Sequence, residues 1–94
     1  MGPGALVNRW GLVTAWATEH DDGRGGRMIT ADEDEPRARA RFEREIARAC
    51  EDGRPETFLL WSPRGKVSEV VITFERSMGW ISRDGVESPI AGEW

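Results

Sequence analysis

One cysteine, one histidine, one lysine and no tyrosine occur among the 94 residues, and each scarcity removes a class of function. Cys50 alone permits no disulfide within the chain, so nothing signals an oxidising compartment. A single His and a single Cys cannot supply the three or four nitrogen and sulfur ligands of a zinc site. Nucleophilic triads and dyads need a base, and His20 is the only histidine able to serve as one. No stretch approaches the ~18 apolar residues that span a bilayer. The start, MGPGALVNRW, lacks the basic segment and apolar run of a secretory leader. A cytoplasmic placement without membrane contact is therefore expected, and the length suits one domain over residues 1–94.

What the chain does contain favours a folded protein. Charged residues make up 32% and hydrophobic residues 38%, with five Trp placed in periodic segments. The basic residues are Arg apart from Lys66, a bias that reads as GC-rich coding of the actinobacterial kind. From Leu6, LVNRWGLVTAWATEH reads as a first strand, with Trp10, Leu12, Thr14 and Trp16 on one side and Val13, Ala15 and Ala17 on the other. DDGRGG, Asp21 to Gly26, collects residues that tolerate positive φ and predicts a hairpin loop into a short strand at RMIT.

The period then changes. Ala38, Phe42, Ile46, Ala49 and Cys50 form a helical stripe. Acids precede it, Pro36 sits near the first helical position, and Gly53 offers a left-handed cap. The spacing predicts the only long helix, from about Glu35 to Cys50. ETFLLWS, a turn at PRGK, SEVVITFER and a last extended piece, WISRDG, follow. This order, β-β-α-β-β with a possible fifth strand, predicts an α+β fold: an antiparallel sheet of four to five strands with one helix on one face.

The run from Thr57 to Phe74 is apolar in both phases of a strand. Phe58, Leu60, Val70, Ile72 and Phe74 suit the face beneath the helix, which leaves Leu59, Trp61 and Val71 on the other, with Trp80 or Trp16 at its edge. Contiguous apolar surface of this kind marks interaction sites. Three coverings satisfy the pattern: a different protein, a second copy of the chain, or the chain itself, through its N-terminal strand, its ESPIAGEW tail or a sheet that curls closed.

The remaining motifs point to structure rather than chemistry. His20 could face Cys50, but a thiol at a helix C-terminus is raised in pKa, the reverse of what a nucleophile needs. The run Asp32-Glu33-Asp34-Glu35 lacks calcium-loop spacing and fits helix capping. GRGGR could present an anion with backbone N–H groups, yet it lacks the lysine and the strand-to-helix placement of a P-loop. Arg37, Arg41, Arg44 and Arg48 share a helix face that could meet phosphates or an acidic patch. Interleaved acids, with Arg39–Glu43 and Arg41–Glu45 at ion-pair spacing, read instead as a solvated face. A formal net charge of -4 and a pI near 5.0 disfavour nucleic acid. No catalytic group, cofactor or metal is expected.

The run ETFLLWSPRGKVSEVVITFERSMGWISRDG, about a third of the chain, resembles the second half of small actinobacterial immunity proteins of polymorphic-toxin systems, above all the deaminase-toxin type. In those proteins a helix is followed by an apolar strand, a Pro/Gly turn, a second strand and a glycine before a last strand. The resemblance implies a role and no particular residues: a cytoplasmic, acidic inhibitor that occludes a toxin or other protein partner. The alternatives from other classes are a homodimeric regulatory or scaffold protein using the second sheet face, and a small-molecule enzyme or carrier.

Overall fold

A computed structural model describes residues 16–76 and 78–90. Strands β1 (Trp16–Asp21) and β2 (Arg27–Asp32) precede helix α1 (Glu35–Asp52), and β3 (Glu56–Ser62), β4 (Gly65–Glu75), β5 (Met78–Arg83) and β6 (Val86–Pro89) follow it. All pairings are antiparallel, in the spatial order β2-β1-β3-β4-β5-β6. The fold is therefore α+β as expected, with six strands instead of four or five and the order β-β-α-β-β-β-β. The part of the first predicted strand before Trp16, including Trp10, lies outside the described residues.

The helix begins and ends where its chemistry dictates. Asp34 is the N-cap, its carboxylate accepting the Arg37 backbone N–H at 2.9 Å, and Pro36 occupies the first turn, where no N–H is needed. Gly53 closes the C-terminus at φ 66, its N–H turned back to the carbonyls of the last turn. The buried stripe Ala38, Phe42, Ile46 and Ala49 lies on Phe58 and Leu60 of β3 and Val70 and Ile72 of β4. Ala38 and Ala49, both fully buried, let the helix lie close to the sheet, while Phe42 and Ile46 fill the space between.

The strand that the sequence reading missed is β6. Asp84 and Gly85, at φ 53 and 88, make the two-residue turn of a tight hairpin, so the chain doubles back instead of ending at WISRDG. Asp84 is pinned there, its Oδ1 accepting the Glu69 N–H at 2.8 Å and its carboxylate the Ser68 hydroxyl at 3.0 Å. Those bonds hold its carboxyl below the ordinary value of 3.8, the Glu69 N–H acting most strongly. Glu87, Ser88 and Pro89 of the ESPIAGEW tail thus extend the sheet and do not fold across it.

Candidate functional site

Strand alternation sorts the side chains onto two faces. On the helix side lie Thr18 and His20 of β1, paired with Leu60 and Phe58 of β3, and Ile72 paired with Ile81. On the other side Ala17 faces Trp61, Glu19 faces Leu59, Thr57 faces Val71 and Thr73 faces Trp80. Leu59, Trp61, Val71 and Trp80 thus share the helix-free face, each partly buried. Among the described residues no helix or further strand packs on it. At the β3–β4 turn end the register slips after Leu60, so that Val67 bulges out and Trp61 faces Lys66.

Trp16 belongs to the opposite face, a correction to its expected place at the edge of this surface. It shares the phase of Thr18 and His20, packs against the buried cluster, and lies under the Arg39 guanidinium at 5.6 Å.

The helix-free face has a definite charge. Its acids are Glu19, Asp21, Glu69, Glu75 and Glu87, and its bases are Arg27 and Lys66. Glu19 is the least exposed of these, its side chain 2% accessible; it accepts the Trp61 indole N–H at 3.0 Å and lies 3.4 Å from Arg27. Lys66 binds Glu69 at 3.0 Å. Both bases are thus spent within the face, and an acidic excess surrounds Leu59, Trp61 and Val71.

Comparison with protein-family models, with curated proteins and with solved structures finds no match.

The helical arginines divide. Arg37 pairs with Glu33 at 3.1 Å, and Arg41 makes a two-point bond to Asp32 at 2.9 and 3.1 Å. Arg44 and Arg48 have no such partner among the described residues. The expected Arg39–Glu43 pair is replaced by Arg39–Glu35 at 2.7 Å and by a two-point Glu43–Arg83 bond at 2.8 and 2.9 Å, while Glu45 acts on Arg41 through its charge alone. In the glycine loop Asp22 accepts the N–H groups of Arg24 and Gly26, and Asp21 that of Gly23. Three backbone donors of the loop are thus turned onto its own acids, and those of Arg24 and Gly26 hold the Asp22 carboxyl below its ordinary value.

Cys50 and His20 are not brought together. Cys50 is half-buried with Arg83 of β5 as its charged neighbour, and burial pushes its thiol up while Arg83 only partly offsets this. Strands β1 and β5 are separated by β3 and β4, roughly 14 Å at the usual strand spacing. His20 instead stacks on Phe58, with ring centroids 5.9 Å apart, and its Nδ1 is bonded to Glu56 Oε2. Glu56, whose side chain is 2% exposed, also accepts from Arg54 Nη1 at 2.6 Å. Sequence reading missed this cluster, although Glu56 shares the strand phase of Phe58 and Leu60, which places a carboxylate on the buried face.

Proposed function

We propose that this protein acts by contact and not by catalysis: a protein-binding module that presents its helix-free sheet face to a partner with an apolar patch and a basic rim. The observation that carries this reading is the joint placement of Leu59, Trp61, Val71 and Trp80 on one face within an acidic surround. Aromatic anchors inside a polar rim are the anatomy of protein interfaces. The charge selects the occupant. Two copies placed face to face would oppose like charges across the interface, whereas a basic partner gains both contact and faster encounter. An inhibitor that occludes a basic toxin surface, the role implied by the resemblance to immunity proteins, fits this description.

The test starts with affinity capture from the native host and identification of the retained protein, which is then purified and titrated. Val71→Lys removes an apolar contact and adds a repelling charge on the face. It should weaken binding about thirtyfold or more, the scale of a hot-spot loss, while its urea midpoint stays near that of the parent. Undiminished binding by Val71→Lys overturns the reading. So does unfolding of the variant monomer, which would mean that the chain closes this face itself. A dimer in sedimentation that Val71→Lys dissociates would establish a second copy as the occupant and overturn it too.

A further inference from the structure

On the other side of the sheet, a cleft of about 340 Å³ opens between α1 and the β1–β2 hairpin. Arg41 and Arg48 line it from the helix, Arg54 from the connection to β3, and His20 and Thr30 from the sheet. Glu45 is the one carboxylate among its lining residues. In a chain of formal net charge -4, this recess gathers three guanidinium groups and a threonine hydroxyl at one place.

We propose that this cleft binds a phosphate group, either inorganic phosphate or a small phosphomonoester. Arg41 spends Nε and Nη2 on Asp32, and Arg54 spends Nε on Asp52 and Nη1 on Glu56. A guanidinium carries five N–H donors, so each keeps N–H groups to spare, and the carboxylates that take the others hold its plane. Asp32, Asp52 and Glu56 bind these two arginines and Glu45 stands at the wall, so a ligand here is held by directed N–H groups and not by an excess of positive charge. Arg48 has no carboxylate bonded to it among the described residues and brings the cation available to a ligand.

His20 adds a directed nitrogen. An ionised carboxylate only accepts, so the Nδ1 proton is committed to Glu56; Nε2, which has no protein partner among the described residues, is then an acceptor, placed to take the hydroxyl proton of a monoprotonated phosphate. The donors approach from a helix (Arg41, Arg48), a connection (Arg54) and strand β2 (Thr30), with the His20 acceptor on β1, an arrangement suited to the tetrahedral oxygens of phosphate. A planar carboxylate is satisfied by a single guanidinium fork. Met28, 58% exposed and also lining the cleft, offers an apolar wall to the organic part of an ester.

Because His20 is the only histidine, its ring resonance in a ¹H–¹³C NMR spectrum is unambiguous and reports from inside the cleft. Inorganic phosphate and then glycerol 3-phosphate are titrated in turn, at an ionic strength held constant with chloride. A saturating shift is expected, with half-saturation raised about tenfold by Arg48→Ala, the scale of one charge-assisted hydrogen bond. Arg44→Ala removes the same charge from the same helix without lining the cleft and should leave the titration unchanged. Tighter binding of glycerol 3-phosphate identifies an ester ligand, and tighter binding of inorganic phosphate the free anion. Val71→Lys should leave both titrations unchanged, which separates this site from the contact face. A shift that only drifts with concentration, or equal losses in the two arginine variants, overturns the proposal.

Discussion

Replacing Phe42 by Ala removes the largest side chain that α1 buries. Phe42 is 2% exposed and lies in the cluster with Phe58, Leu60, Val70 and Ile72. The space it leaves has no ready filler, because the neighbouring buried positions Ala38 and Ala49 on the helix are too small and the sheet beneath is held by its hydrogen bonds. Phe→Ala at such a site costs about 3–5 kcal/mol, the transfer loss plus the residual cavity. A chain of 94 residues has a total stability of about 5–14 kcal/mol. The variant should therefore lose a large share of its stability, and its urea midpoint should fall by more than ~1 M at the usual slope of about 1–3 kcal/mol per molar. Arg44→Ala, at an exposed position without a bonded partner, is the control and should stay within ~0.5 kcal/mol of the parent. A loss below about 1 kcal/mol for Phe42→Ala would refute the packing of helix on sheet described above.

Other perturbations read other parts of the fold. Arg41→Ala should fall between those two variants in a urea melt, because Asp32, 10% exposed, loses a two-point partner. Gly79→Ala should destabilise, since a Cβ there would stand 2.7 Å from the Phe74 ring and 3.0 Å from Ile90; Phe74→Leu in the same chain should restore part of the loss. Asp84 contributes stability above its ordinary value of 3.8 and loses it as pH falls through its lowered folded value. Acid titration followed by circular dichroism should therefore show a shallower decline below that point for Asp84→Asn, which keeps a residue tolerant of positive φ but loses the charge.

The parts of the fold that were legible in the sequence are those specified locally. The helix announces itself through Asp34, Pro36, the apolar stripe and Gly53, all within one stretch of chain. The β3–β4 hairpin is marked by strong apolar strands on either side of Pro63–Gly65. Strand β6 carried no such pattern: all four of its residues, Val86 to Pro89, are exposed, and the Asp84–Gly85 turn was its only signal. Ionic partners were illegible for a different reason. Glu43 meets Arg83 and His20 meets Glu56 across long sequence separations, where local spacing suggested neighbours within the helix or left the residue unassigned. Leu59, Trp61, Val71 and Trp80 could be sorted because strand alternation is strict. Trp16 was misplaced because its phase depends on the register of β1 against β3, which the sequence does not display.

Adjacent residues on opposite faces provide the most direct test of the contact face. Leu59 and Leu60 are neighbours on β3, as are Val70 and Val71 on β4, and in each pair one side chain lies under α1 while the other lies on the helix-free side. Methyl NMR spectra of the protein alone and saturated with its captured partner compare the two faces within one sample. The account predicts that the methyl resonances of Leu59 and Val71 shift or broaden on binding, while those of Leu60 and Val70 move little. Perturbation confined to Leu60 and Val70, or equal in both members of each pair, would contradict it.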